Sequence, residues 1–166
     1  EGISKMENID ESSAGYVAYT DPMRNLFVAG NGDAHQVTKD GSAALVYASS
    51  VHRDEFGISK GTFWSNNGKS LAFYRMDQSM VTEYPIIKWN EKPARNEPIY
   101  YPMAGEKSHH VTVGIYHTAS KQTTWVKTTG PADQYLTNIA WSPDDKFLYI
   151  VIVNRGQDHL WVNQYD

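Results

Sequence analysis

Three groups of residues in this sequence have types and spacings that chemistry could use. Asp54 and Glu55 are adjacent carboxylates, flanked by Arg53 and Phe56. Two such acids can each accept a charge-assisted hydrogen bond from an ammonium group. On residue types alone, a solvated acidic loop is the commoner reading of the same pair. Gly57-Ile58-Ser59-Lys60-Gly61 has the G-x-S-x-G spacing of a nucleophile elbow. That motif works only on a strand-to-helix turn of an α/β-hydrolase sheet. Here it runs into a strand ending at Trp64-Ser65, so it reads as a chance match. His109, His110 and His117 lie on or beside one predicted strand. They lack the HExxH spacing, and the chain has no cysteine to complete a thiolate site. They read as surface or edge-strand histidines, and His52 as a residue that shapes the acidic loop. No cofactor and no metal site is expected.

The elements that must position these residues are strands. Residues 16–19, 25–28, 70–74, 111–116, 123–126 and 147–151 are short runs of β-formers separated by polar, Gly-rich or Pro-rich turns. Aromatic residues make up 13%, with 5 Trp and 11 Tyr, a composition that suits pleated sheets. No long segment has apolar residues at helical spacing, so a parallel α/β sheet with its crossover helices is disfavoured. The formal net charge of −4 gives no nucleic-acid footprint. No apolar run is long enough to span a bilayer as a helix. Residues 1–5 are polar and read as a cut inside a longer chain.

An internal repeat identifies the architecture. Thr62-Phe63-Trp64-Ser65-Asn66-Asn67-Gly68-Lys69-Ser70-Leu71-Ala72-Phe73 returns as Ile139-Ala140-Trp141-Ser142-Pro143-Asp144-Asp145-Lys146-Phe147-Leu148-Tyr149-Ile150. Each copy is a strand ending in Trp-Ser, a tight polar turn and a second strand. Residues 9–19 form a degenerate third copy, with Ile9 in the place of Trp64. Trp64 and Trp141 are therefore expected in the core. The copies lie further apart than the roughly 40–50 residues of a four-stranded propeller blade. Insertions are expected at 49–59 and 76–101, the second being Pro-rich and extended. Arg75, Asp77 and Glu83 are expected to brace it by internal salt bridges, while Tyr100 and Tyr101 could serve packing or contact. Gly30-Asn31-Gly32-Asp33 reads as a hairpin turn. The fold class is all-β: a fragment of a β-propeller with about two four-stranded antiparallel blades, part of a third, and long insertions. Its unpaired outer edges should be prone to association.

The insertions carry a specific resemblance. His52-Arg53-Asp54-Glu55-Phe56-Gly57-Ile58-Ser59-Lys60-Gly61-Thr62-Phe63-Trp64-Ser65 and Leu71-Ala72-Phe73-Tyr74-Arg75-Met76-Asp77-Gln78-Ser79-Met80-Val81-Thr82-Glu83-Tyr84-Pro85 are the first two stretches. Tyr101-Pro102-Met103-Ala104-Gly105 and Leu136-Thr137-Asn138-Ile139-Ala140-Trp141-Ser142-Pro143-Asp144 continue them in register. Together they resemble the N-terminal β-propeller of bacterial, Bacteroides-type dipeptidyl peptidase IV, in the prolyl oligopeptidase superfamily of serine peptidases. The resemblance covers residues 1–166.

It implies a propeller, eight-bladed in the family, that caps a C-terminal α/β-hydrolase domain not contained in these residues. The whole enzyme would release X-Pro or X-Ala dipeptides from peptide N-termini. By the same resemblance Asp54 and Glu55, where the family more often has Glu-Glu, hold the substrate α-amino group from a short helical turn over 53–57. Arg53, Phe56 and Ser59 are candidate pocket-lining residues. The catalytic Ser, Asp and His would all lie in the missing domain. The implied partners are a peptide N-terminus, the hydrolase domain and a second copy in a homodimer. The implied location is periplasmic, secreted or cell-surface. A stand-alone propeller interaction module and a prolyl tripeptidyl peptidase propeller are the alternatives.

Overall fold

The computed structural model describes residues 5–166; Glu1, Gly2, Ile3 and Ser4, the start of the polar N-terminal stretch, lie outside the described residues. The first blade is a meander of β1 (Glu7–Glu11), β2 (Val17–Thr20), β3 (Leu26–Gly30) and β4 (Asp33–Gln36). The β3–β4 turn is the two-residue hairpin read from Gly30-Asn31-Gly32-Asp33. Asn31 and Gly32 both have positive φ, 53° and 79°, as a type I′ turn requires.

The second blade departs from a simple meander. Its innermost strand is built from two pieces, β5 (Leu45–Tyr47) and β6 (Thr62–Trp64), which pair in one continuous register along β7 (Ser70–Asp77). Tyr47 faces Arg75 and Thr62 faces Phe73. Between them Ala48 N–H donates to Tyr74 O at 2.8 Å, and Tyr74 N–H donates to Gly61 O at 3.0 Å. Residues 49–60 are thus looped out of the middle of a strand.

The second insertion follows β7. Its pieces β8 (Glu83–Tyr84), β9 (Ile87–Lys88), β10 (Arg95–Asn96) and β11 (Ile99–Tyr100) form one antiparallel hairpin arm. Pro85 and Pro98 interrupt its ladder because they lack an N–H. The chain then returns through β12 (His110–His117) and β13 (Gln122–Trp125) to complete the blade. The third blade has β14 (Tyr135–Trp141), β15 (Leu148–Val153) and β16 (Leu160–Tyr165).

Strand alternation divides the core into two seams. In β7, Leu71 and Phe73 pack toward the first blade with Ala18, Leu26, Val28 and Tyr116. Ala72 and Tyr74 pack toward the third blade with Val113, Leu136, Ile150 and Ile152. Gly114 on β12 leaves room for the ring of its cross-strand partner Phe73, since a Cβ there would stand 2.6 Å from that ring.

Two sequence expectations need correction. Glu11, not Ile9, stands where Trp64 and Trp141 do. Ser12, Ser65 and Ser142 occupy equivalent places, each Oγ accepting the N–H of the returning residue Tyr16, Ser70 or Phe147. The first turn is one residue shorter, which misplaces a match made by apolar character. Second, Arg75 and Asp77 belong to β7, and none of the ion pairs among the described residues involves Arg75, Asp77 or Glu83. The arm is braced instead by Lys88–Glu97 at 3.2 Å and by Arg95–Glu91.

Candidate functional site

The loop over 49–60 is pinched at its neck, where Gly61 lies so close to Ala48 and Ser49 that a Cβ would stand 2.1 Å from Ser49 O. At its crest the sequence His-Arg-Asp-Glu-Phe-Gly turns in an unusual hand. His52, Arg53, Asp54 and Phe56 have φ between 54° and 61°, and Glu55 is extended at φ −73°, ψ 171°. The turn expected at 53–57 is present, but it is left-handed. An L-residue in this region costs on the order of 1 kcal/mol, so surrounding contacts must enforce it. Val51 and Ile58, at either side, are buried in the seam between blades two and three. The Phe56 ring packs on Tyr135 with centroids 5.0 Å apart.

The crest borders a cavity of about 350 Å³, lined by Arg53 and Glu55 among others. Opposite walls come from Tyr101, Pro102 and Ala104 after the arm, Tyr135 at the start of β14, and Arg155 and Gln157 in the β15–β16 turn. The Arg53 guanidinium lies over the Tyr101 ring at 5.7 Å. Arg155 lies over the Tyr135 ring and donates to its hydroxyl. Glu55 is the one carboxylate among the residues that line the cavity.

The other acid is placed differently. Asp54 lies outside this lining, and its carboxylate accepts a hydrogen bond from Ser50 Oγ. Ser59 is exposed and also lies outside the lining. It precedes the strand β6, with no helix following, so the G-x-S-x-G spacing does not form an elbow.

The cavity floor corrects the reading of the histidines. His52 and His109 are both only 3% exposed, and His52 Nδ1 lies 2.8 Å from His109 Nε2. Leu136 N–H donates to His52 Nε2 at 3.1 Å. Burial lowers both imidazoles, His52 to about 3 with further repulsion from His109 and Arg155, and His109 to about 4 with repulsion from Arg155, Arg53 and His110. His110 and His117 are half-buried at the two ends of β12. Tyr101, Tyr135, Arg155, Gln157 and His109 were not assigned to the site from sequence. Among them Tyr101 carries a sequence signal, as half of a Tyr100-Tyr101 pair open to packing or contact.

Four similarities bear on identity. The family model for the dipeptidyl peptidase IV N-terminal region matches residues 12–166. A solved structure of a putative dipeptidyl aminopeptidase IV from Bacteroides ovatus is 46% identical and superposes with a TM-score of 0.86 over 97% of this chain and 22% of that one. Dipeptidyl peptidase 4 of Porphyromonas gingivalis is 28% identical, with a TM-score of 0.89 over 99% of this chain and 24% of that one. A probable dipeptidyl-aminopeptidase B from Fusarium vanettenii is 31% identical over 83% of this chain and 17% of its own length. The chain therefore spans less than a quarter of the length of each of these relatives. Its β-propeller fold and a family match over nearly its whole length place it together with them: the chain belongs to the dipeptidyl peptidase IV N-terminal region family.

Proposed function

We propose that this chain is the substrate-amine-binding part of a dipeptidyl peptidase IV-like serine exopeptidase, and that it is catalytically silent by itself. The observation that carries this reading is the placement of Glu55 on the wall of a cavity, at the crest of a loop thrown out of a blade's innermost strand. A peptide N-terminus is largely an ammonium near neutral pH. Glu55 accepts a charge-assisted hydrogen bond from it. Asp54, next along the turn, supplies the second carboxylate by exchanging Ser50 Oγ for the ammonium. Pinning the amine sets which peptide bond reaches the nucleophile, so binding energy is used for positioning. Arg53 and Phe56 shape the turn from the cavity side and the core side. The nucleophile, its base and the second-residue pocket belong to a C-terminal α/β-hydrolase domain, and the substrates are X-Pro and X-Ala peptides.

The hairpin arm fits the homodimer contact of this reading, with Trp89 81% exposed at its tip and Tyr84 45% exposed on its stem. Among the described residues no helix is long and apolar enough to cross a membrane. A location outside the cytoplasm is part of the same proposal.

The test is hydrolysis of Gly-Pro-nitroanilide by the full-length protein, wild type beside Asp54→Ala/Glu55→Ala, with a melting curve for each. Activity should fall by more than about 100-fold, as loss of charged hydrogen bonds implies, while the melting temperature holds. Undiminished activity in the double variant removes the amine-binding role. An inactive wild type leaves the interaction-module alternative.

A further inference from the structure

His52 and His109 lie 57 positions apart in sequence and meet beneath the cavity. Their hydrogen bonds admit one arrangement of protons. The Leu136 amide can only donate, so His52 Nε2 is a bare acceptor. A neutral His52 then carries its proton on Nδ1 and donates to His109 Nε2. His109 in turn carries its proton on Nδ1. A further proton on His52 Nε2 would oppose the Leu136 N–H, and one on His109 Nε2 would oppose His52 Nδ1–H.

This relay joins three separately built walls. His52 opens the left-handed turn, in which Arg53, Asp54 and Phe56 have positive φ and Glu55 is extended. His109 ends the segment that brings Tyr101, Pro102 and Ala104 to the cavity. Leu136 belongs to β14, at a register shift in the β14–β15 ladder between Leu136 and Asn138. The carbonyls of Leu136 and Thr137 at that shift accept from the buried Tyr74 hydroxyl at 2.9 and 3.3 Å, which fixes the irregular strand to β7. The His52 ring also stands edge-on to Tyr135, with centroids 5.0 Å apart. Bulges beside functional sites commonly re-aim groups in this way.

We propose that the Leu136–His52–His109 relay is a positioning device that holds the left-handed turn in place and so keeps Glu55 on the cavity wall. His52 and His109 act through Glu55 and do not themselves touch substrate. The inference rests on the amine-binding reading of Glu55.

Three variants of the full-length protein test it, with KM and kcat for Gly-Pro-nitroanilide at neutral pH and a melting curve for each. His109→Phe keeps a ring and removes the acceptor. His109→Gln returns an acceptor through Oε1. Glu55→Gln removes the negative charge directly. His109→Phe should raise KM about tenfold and lower kcat as well, because a loosened amine anchor aligns the scissile bond less well. His109→Gln should recover most of the loss. A folded His109→Phe variant with wild-type KM, beside a Glu55→Gln variant that fails, overturns the positioning role and leaves the amine reading standing. Unchanged kinetics in Glu55→Gln overturn both.

A measurement on the wild type covers the case in which His109→Phe does not fold. Selective 15N-histidine labelling should show His52 protonated on Nδ1 and bare on Nε2 at neutral pH. The opposite tautomer, or a charged His52, would refute the relay.

Discussion

At the scale of the residue, the two acids have unequal positions and should have unequal effects. Glu55 faces the cavity, while Asp54 is engaged by Ser50 Oγ. Glu55→Ala alone should cost about 100-fold in kcat/KM, near what a lost hydrogen bond to a charged group implies, and Asp54→Ala about tenfold. Equal effects would mean that both carboxylates reach the amine symmetrically. The two imidazoles supply a pH test. Both titrate in the folded protein well below their ordinary value near 6.5, at about 3 for His52 and about 4 for His109. Unfolding raises their pKa, so the stability they contribute is complete above about pH 6.5 and declines as pH falls toward 4 and 3. Between pH 6.5 and 5 each should remove about 2 kcal/mol of stability. The melting temperature should fall over that window in the wild type and less steeply in a His52→Phe variant. Neither imidazole's role was legible in sequence. The pairing spans two insertions, and no local pattern distinguishes His109, which is buried, from the half-buried His110 beside it.

At the scale of the element, strands and turns were legible because period-2 runs and Trp-Ser turns are local signals. The split inner strand was not. β5 and β6 are each three residues long, and their shared register appears only against β7. The left-handed hand of the crest was also hidden. Left-handed positions usually announce themselves with Gly or Asn, and here the run is His52, Arg53 and Asp54. Tertiary contacts at Val51, Ile58, Phe56 and His52 override that preference. The neck is the most sensitive point of the loop. Gly61→Ala places a methyl 2.1 Å from Ser49 O, against backbone that has no room to yield. It should destabilise the protein by roughly 2–3 kcal/mol and weaken amine binding as well. Denaturant midpoints and KM would register both effects, and an unaltered midpoint would contradict the pinched geometry.

At the scale of the whole molecule, stability comes from blade-to-blade seams. The repeated tryptophans serve these seams both by packing and by hydrogen bonding. Both are half-buried against the core clusters, and each also donates its indole N–H to the preceding blade. Trp64 Nε1–H reaches Asp10 O at 3.2 Å and Trp141 Nε1–H reaches Phe63 O at 2.9 Å. Asp10 and Phe63 hold equivalent places, each one residue before the position shared by Glu11, Trp64 and Trp141. The turns are stitched as well, with the Asp145 carboxylate accepting from the Asn66 and Asn67 amides at 2.7 and 2.8 Å. Trp141→Phe retains the ring burial and removes one hydrogen bond, so it should cost about 1–1.5 kcal/mol in chemical denaturation. A neutral result would assign the tryptophan to packing alone. The last strand, β16, exposes Leu160, Trp161 and Val162 at 62%, 47% and 63%. The 166-residue chain by itself should therefore associate in size-exclusion chromatography, and Leu160→Lys/Val162→Lys should reduce that association.

The central claim is that Glu55 holds a substrate's α-ammonium group. A crystal structure of the full-length protein with a bound X-Pro dipeptide tests it most directly. The ammonium nitrogen should lie about 2.7–2.9 Å from the Glu55 carboxylate, with the crest still left-handed beside the His52–His109 contact. A bound dipeptide whose amine lies away from Glu55, held by other groups, would contradict it.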